Sequence, residues 1–215
     1  YLVNYGVNTD CEVYLSLRNI NDDKAKLSNY NTNVNNSQMN TENNAWAKFY
    51  EGIERANIAI RGLRLYGDVA NNRDLAQILG EVLTLRAVVY SDLLKGWGDV
   101  PARFEPVNSE TVYLPRADRD LIYKQLLADL EEAAELVAWP GETAVTRSTE
   151  RINKAFVKGL RARLALAAGG YSQRSDGTVR RSNDPDLAPD KMYAIVKKEC
   201  LDVINSGKAK LQTFE

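Results

Sequence analysis

Five polar and aromatic residues near the start of the chain carry side chains suited to binding sugars without catalysis. They are Asp10, Arg18, Tyr30, Asn31 and Asn33. An exposed tyrosine ring covers the apolar face of a sugar, while amide, carboxylate and guanidinium groups exchange hydrogen bonds with its hydroxyls. We predict that these residues bind a ligand. A polar surface loop without a ligand is the alternative interpretation of the same residues.

The composition offers little for catalysis. The chain has 215 residues and no histidine, which removes the commonest general base at neutral pH. The remaining candidates are two pairs of adjacent carboxylates, Asp22/Asp23 and Glu131/Glu132. Adjacent residues do not face each other on a helix, so we expect these pairs to be solvated. We predict that the protein is not an enzyme.

Metal and redox sites are not predicted either. Asp184, Asp186 and Asp190 offer the oxygen ligands that Ca²⁺ takes, but their spacing matches no EF-hand loop. Cys11 and Cys200 lie too far apart for a CxxC pair. Cys200 falls on the apolar stripe of a predicted helix, which indicates a small buried thiol. A disulfide between the two cysteines stays open, and we expect no cofactor.

Charge and hydropathy limit the partners. The formal net charge is −1, so no basic footprint for nucleic acid is present. No apolar run of about 18 residues occurs, so no membrane-spanning helix is predicted. A hydrophobic content of 44% in 215 residues is enough for one large domain or two small ones.

The first 44 residues differ from the remainder. They contain twelve of the nineteen asparagines, and asparagine favours turns over helix interiors. We predict an ordered loop segment over residues 1–44, with one short helix near residues 12–17. From residue 45 onward, apolar residues recur every three or four positions, which indicates helices.

Five long helices are predicted from residue 45 onward. Their starts are placed at Ala45, at residue 73 after Asn71 or Asn72, after Asp118, after Ser148 or Thr149, and after Pro189 with Asp190 as the cap. The dipeptide Asp176-Gly177 indicates a tight turn between two short extended pieces. Antiparallel helix pairs of this size predict an all-α fold of tetratricopeptide-like repeats, an α-solenoid with long irregular loops.

Three helix residues carry specific structural predictions. Asn57 interrupts an apolar stripe, so if buried it must be hydrogen-bonded, and we expect a bond to a connector. The stem of Arg86 packs, while its guanidinium pairs with a carboxylate or caps connector carbonyls. Gly159 costs about 1 kcal/mol relative to alanine inside a helix, which predicts a closely packed neighbouring helix.

Four segments together resemble one protein family, SusD/RagB. They are LRAVVYSDLLKGWGDVP, WAKFYEGIERANIAI, RINKAFVKGLRARLAL and YAIVKKECLDVINSGKAKL. The first contains an Arg-Ala pair and a tyrosine before a Gly-Asp-Val-Pro turn, and the second contains the Ala56-Asn57 pair. All four stand in the order found in the family, over roughly residues 45–212. Family members are much longer, so we expect residues 1–215 to form a single SusD-like N-terminal helical domain of a longer chain.

The resemblance implies a function as well as a fold. SusD-like proteins are non-catalytic lipoproteins on the outer face of the outer membrane in Bacteroidetes-type bacteria. They cover a TonB-dependent, SusC-like transporter as a lid and capture glycans or other nutrients. The resemblance implies contact with the membrane only through an N-terminal lipid anchor absent from this chain, and Cys11 is a poor candidate for the lipidated residue.

Two functions remain open at this point. The first is nutrient binding in a SusC/SusD-type uptake system, with ligand held by loops and the helical repeats facing the transporter. The second is a helical-repeat scaffold that binds a protein partner through a concave face. The ligand of the first function also stays open between a polysaccharide, a host glycan and a peptide.

Overall fold

A computed structural model describes residues 21–28, 31–33, 35–40, 45–148 and 150–209. The chain divides into two compact units, residues 1–51 and residues 52–215. In the described part, seven α-helices are present. They are α1 (Asp23–Ser28), α2 (Ser37–Asn40), α3 (Ala45–Tyr66), α4 (Arg73–Trp97), α5 (Arg119–Leu136), α6 (Lys154–Gly169) and α7 (Pro189–Asn205). The all-α prediction is confirmed.

The second unit is a row of helices in chain order. Helix α4 packs against α5, α5 against α6, and α6 against α7. Such nearest-neighbour stacking is the architecture of helical repeats. The strands β1 (Ser172–Gln173) and β2 (Val179–Arg180) form an antiparallel hairpin. Its turn contains Gly177 with a positive φ of 79°, as the Asp-Gly signal predicts.

Local capping signals place some helix starts correctly. The side chain of Asn72 accepts hydrogen bonds from the backbone N–H groups of Asp74 and Leu75. Asp118 accepts one from the N–H of Asp120 at 2.8 Å. These three bonds satisfy donors that the first helical turn leaves unpaired. These two caps are therefore confirmed.

Two other predicted caps are wrong. Helix α6 begins at Lys154 and is capped by Asn153, not by Ser148 or Thr149. Contacts with α4 delay its start, because Gln77 donates to the carbonyl of Ile152 at 2.9 Å. Helix α7 begins with Pro189 in its first turn and has no side-chain cap, so Asp190 is not the cap. Proline presets the helical φ, and its missing N–H is one that the start of a helix leaves without an intrahelical partner.

The apolar stripes are only partly buried. On α5 the apolar residues Ile122, Leu126 and Leu130 are buried. On α6 the apolar residue Phe156 is 48% exposed, and on α7 Ile204 is 68% exposed. Periodicity identifies the apolar face of a helix, but the neighbouring helices decide which face is covered.

Cys200 corrects another prediction made from the α7 stripe. Its side chain is exposed, not a buried thiol, and Cys11 lies outside the described residues. The buried residues of α7 are Met192 and Glu199. The face of α7 that contains Met192 and Glu199 is therefore turned to the interior, and Cys200 lies outside it.

Close helix packing occurs at Gly80 instead of Gly159. A Cβ atom on Gly80 would lie 2.5 Å from Cγ1 of Val137, at the end of α5. On Gly159 the same atom would meet nothing within 4 Å. The prediction that Gly159 marks a close neighbour is wrong, and Gly80 is the glycine that lets α4 approach α5.

Arg86 is the centre of a buried polar network in the second unit. Its Nε and Nη2 donate to Oδ2 of Asp129 at 3.1 and 2.7 Å. Its Nη1 donates to Oδ1 of Asn57 at 2.8 Å and to the carbonyl of Phe104 at 3.0 Å. Arg86 and Asp129 have side chains only 3% and 2% exposed. The predicted pairing of Arg86 with a carboxylate and with connector carbonyls is confirmed.

Asn57 completes this network. Its Nδ2 donates to the carbonyls of Arg103 and Glu105, each at 3.1 Å. The predicted bond from Asn57 to a connector is therefore confirmed. The network ties α3, α4 and α5 to the connector that follows α4. Every charge and amide in it has a partner, as burial requires.

A second buried cluster joins α5, α6 and α7. Lys158 Nζ lies 2.7 Å from Glu199 and 2.8 Å from Asp202. Arg161 also bonds Glu199 and lies 2.9 Å from Glu131. Burial by itself lowers the pKa of Lys158, because it disfavours the charged ammonium. The hydrogen bonds from Lys158 to Asp202 and Glu199 have the larger opposite effect, so the pKa of Lys158 is raised. The buried face of α7 is therefore held largely by charge.

The Arg86–Asp129 pair predicts a large effect on stability. We expect Asp129→Ala to lower the free energy of unfolding by about 3–5 kcal/mol, because it leaves a buried guanidinium unpaired. Glu132→Ala on the same helix is the matched control, since Glu132 pairs with Arg64 at the surface, where both side chains are exposed. That loss should stay below about 1 kcal/mol. Urea unfolding monitored by circular dichroism measures both values, and equal losses would contradict the burial argument.

The two helical glycines predict opposite effects of the same substitution. We expect Gly80→Ala to destabilise by about 1–3 kcal/mol, because its methyl group overlaps Val137. Gly159→Ala should stabilise by about 0.5–1 kcal/mol, because alanine favours the helix and space is open. Thermal unfolding of both variants measures the contrast. A stabilised Gly80→Ala variant would show that α4 and α5 do not pack closely there.

Candidate functional site

The predicted binding loop is described only in part. Asn31 and Asn33 follow α1 in the chain and precede the turn at Asn35, and both are exposed. The N–H of Asn31 donates to the carbonyl of Lys26 at 2.9 Å, and Oδ1 of Asn33 accepts from the N–H of Asn35 at 2.9 Å. The amide oxygen of Asn33 thus stabilises the turn. Asp10, Arg18 and Tyr30 lie outside the described residues, so the ligand role of all five residues stays a prediction.

The connector between α4 and α5, residues 98–118, is a long irregular segment held in a defined path. Gly98 has a positive φ of 70°, and Val100 pairs with Ala117 in an isolated antiparallel bridge. Asp99 accepts from Nε of Arg119 at 2.7 Å, at the start of α5. The Gly-Asp-Val-Pro corner therefore ends α4 and aligns the first turn of α5.

Tyr90 fixes the middle of the same connector. Its hydroxyl donates to the carbonyl of Arg103 at 2.9 Å and accepts from the N–H of Arg103 at 2.7 Å. Burial raises the pKa of Tyr90 to about 12, against the lowering effects of the Arg103 backbone bond and of the charges on Arg86 and Arg103. The neutral phenol is therefore the form that the fold requires.

Arg103 shapes the exposed end of the connector. Its guanidinium donates to the carbonyls of Thr111 and Val112 at 2.6 and 2.5 Å. The next residue, Tyr113, is 92% exposed. The connector thus presents an aromatic ring to solvent from a braced backbone.

A polar cleft of about 380 Å³ opens in the second unit. It lies between the start of α4, the end of α5 and the segment that leads into α6. Its lining includes Arg73, Asp74, Glu135, Trp139, Glu142 and Lys154. Its volume falls in the range of small-molecule sites, about 300–1,000 Å³.

Two hydrogen bonds hold the backbone of Trp139 beside this cleft. The N–H of Trp139 donates to the carboxylate of Glu142 at 2.8 Å, and its carbonyl accepts from the hydroxyl of Thr146 at 2.9 Å. The Nζ atom of Lys154 lies 5.9 Å from the centre of the indole ring. The indole ring is therefore attached to a braced loop and borders a cation.

The sequence did not indicate this cleft. The Pro140-Gly141 pair indicates only that a helix ends before it. The available signal was a tryptophan directly at a helix stop, followed by Glu142 and Thr143. The cleft beside this tryptophan also needs Arg73 and Asp74, which are more than sixty positions away in the sequence. Only the fold brings these residues together.

The acidic pairs considered for catalysis have structural partners. Asp22 accepts from the N–H of Lys24 at 2.8 Å, and Asp23 accepts from the N–H of Ser37 at 2.8 Å. Glu131 and Glu132 pair with arginines of other helices, as described above. Within the residues that the structure describes, no group of three or more histidine, cysteine or acidic side chains is arranged to hold a metal.

Two of the three later aspartates pair with lysines. Asp184 lies 2.8 Å from Lys124, and Asp186 lies 3.0 Å from Lys191. The hydrogen bond from Lys124 lowers the pKa of Asp184.

No helix in the described part of the chain is both long and apolar enough to cross a bilayer.

Comparisons with known proteins agree on one family. A SusD-like family model, described as "Starch-binding associating with outer membrane", matches residues 4–164. SusD-like protein P38 of Formosa agariphila is 35% identical over 107 residues, which cover 46% of this chain and 20% of that protein. The chain therefore spans only a minor part of this relative.

Solved structures show the same fold. A SusD superfamily protein from Parabacteroides distasonis superposes with a TM-score of 0.67 and 24% identity, covering 88% of this chain and 36% of that one. Surface glycan-binding protein A from Bacteroides fluxus superposes with a TM-score of 0.65 and 23% identity, covering 90% and 36%. The tetratricopeptide-like, SusD-like fold prediction is confirmed.

The buried Tyr90 hydroxyl predicts alkaline sensitivity. Because its pKa is raised to about 12 in the folded state and is about 10 in an unfolded chain, its contribution is complete below pH 10. It is lost as the pH rises from about 10 towards 12. We expect Tyr90→Phe to be about 1–2 kcal/mol less stable at neutral pH and to lose less further stability above pH 10.

Urea unfolding between pH 8 and 11 checks this prediction. Tyr66→Phe is the control, since Tyr66 is 86% exposed, and this variant should follow the wild-type curve. If Tyr90→Phe keeps the full alkaline loss, another group is responsible for it.

Proposed function

The chain belongs to the SusD/RagB family, and on that premise we propose that it takes part in glycan capture at the bacterial cell surface. The observation that carries the proposal is the family match over residues 4–164. In the proposed function, the protein is the non-catalytic binding component of a SusC/SusD-type uptake system. Its partner is a TonB-dependent, SusC-like transporter in the outer membrane, and an N-terminal lipid anchor is its contact with the bilayer.

The comparisons support a glycan as the ligand class. The family description names starch, and one solved neighbour is a surface glycan-binding protein. In our proposal the chain shares this ligand class. The particular glycan depends on side chains that differ between relatives, because identity to these neighbours stays below a quarter.

The architecture is compatible with helices that provide support and loops that bind the ligand. The buried networks around Arg86 and Glu199 hold α3 to α7 as a rigid support, and the connectors between helices lie at the surface. Binding sites on loops that a rigid scaffold positions are a common arrangement. We propose that the helical row faces the transporter, while loops, including residues 1–44, hold the ligand.

No catalytic step is part of the proposal. The adjacent carboxylates of α5 are paired with arginines. The buried Glu199 accepts bonds from Lys158 and Arg161. These acidic groups hold helices together, so their geometry supports a structural role.

A glycan-array screen of the full-length gene product tests the function, with calorimetry on each hit. We expect binding to at least one neutral polysaccharide or oligosaccharide. We also expect Tyr30→Ala and Arg18→Ala each to raise Kd about tenfold or more, because each removes a ring contact or a charged hydrogen bond. Tyr66→Ala is the matched control, an exposed tyrosine at the end of α3 and outside the predicted loop, and should leave Kd unchanged.

The outcomes separate the parts of the proposal. If a glycan binds and its Kd is the same in Tyr30→Ala and Arg18→Ala as in the wild type, glycan binding is supported and those two residues are excluded from its site. No binding to any glycan contradicts the ligand class. Co-purification with a SusC-like transporter from membranes would then support uptake of a peptide, whereas a soluble protein partner would favour the scaffold function.

A further inference from the structure

We propose that the cleft beside Trp139 is a binding subsite for a neutral sugar residue. The inference rests on the proposed glycan binding and adds a second location to it. The cleft is built within residues 69–154, so it contains none of the five residues predicted from the sequence. Its volume of about 380 Å³ suits one end of an oligosaccharide better than a long polymer.

The floor of the cleft is preorganised. Gln77 is buried and uses its whole amide: Nε2 donates to Glu81 and to the carbonyl of Ile152, and Oε1 accepts from the N–H of Ala138 at 2.9 Å. The N–H of Lys154 donates to the carbonyl of Ala138 at 2.9 Å. A ligand therefore meets a surface that needs little ordering, which favours affinity.

Four charged side chains line the cleft, and within the described residues none of them forms an ion pair or a side-chain hydrogen bond. They are the guanidinium of Arg73, the carboxylates of Asp74 and Glu135, and the ammonium of Lys154, whose Nζ lies 5.9 Å from the centre of the Trp139 indole ring. By contrast, many other charged groups of the second unit are paired. These four groups are therefore free to exchange hydrogen bonds with a ligand.

The balance of these charges selects the ligand class. The carboxylates accept bonds from hydroxyl groups, and the two cations donate to hydroxyl oxygens. Together with Glu142, whose carboxylate also accepts the N–H of Trp139, three carboxylates and two cations line the cleft, so a phosphate or sulfate would meet a net negative charge. The indole of Trp139 offers an apolar surface beside them. A polyhydroxyl ring with no charge satisfies all of these groups together.

The test is a calorimetric and fluorescence titration of the full chain with neutral malto-oligosaccharides, using any neutral glycan found on the array as a second probe. We expect Trp139→Ala and Glu135→Gln each to raise Kd at least fivefold, or to remove one site from a two-site isotherm. Glu132→Gln, at an exposed position of the same helix, should change nothing. Glu135 is exposed, so its substitution keeps the fold intact.

The outcomes distinguish this inference from the proposed function. Glycan binding that weakens in Tyr30→Ala but is unchanged in Trp139→Ala and Glu135→Gln overturns the subsite and leaves the function standing. A wild-type chain that binds no glycan overturns both. A sulfated oligosaccharide that binds this cleft more tightly than its neutral counterpart overturns the assignment to a neutral sugar. Loss of ligand-induced fluorescence change in Trp139→Phe supports the subsite.

Discussion

The charge on Arg86 is the constraint on which the described helical unit depends. A guanidinium remains protonated at any physiological pH, so burying it requires a carboxylate and a full set of acceptors. Asp129 supplies the carboxylate from α5, Asn57 supplies an amide oxygen from α3, and Phe104 supplies a carbonyl from the connector. Satisfying one side chain thus fixes the relative positions of three helices and a loop.

A buried charge with partners on a neighbouring helix also occurs at the other end of the row of helices. Glu199 is buried on α7 and forms ion pairs with Lys158 and Arg161 of α6. The buried ion cluster adds a further condition on helix register to that of apolar packing, because each buried charge needs its partner within hydrogen-bond distance. Gly80 adds a steric condition, since only a residue without Cβ allows the approach to Val137. The repeats therefore form a support with defined geometry, from which connectors and clefts can present binding groups.

Local sequence signals predicted part of this arrangement. The caps Asn72 and Asp118 and the turn at Gly177 were predictable because each depends on a few adjacent residues. The partners of Asn57 and Arg86 were predictable as classes, because a buried polar group must be bonded. The predicted caps of α6 and α7 failed, and so did the burial of Cys200, because tertiary contacts decide where an extended segment ends and which helix face is covered.

The sequence by itself determined the all-α repeat fold, the family, and the need for polar partners inside the helices. These follow from periodicity, from capping chemistry and from motifs that keep their order. Only the tertiary structure decided which carboxylate pairs with Arg86 and which apolar helix faces stay exposed. It alone brought Arg73, Asp74, Glu135 and Trp139 around one cleft. The physical reason is that burial and charge pairing depend on distances between residues far apart in the chain, which a local pattern does not contain.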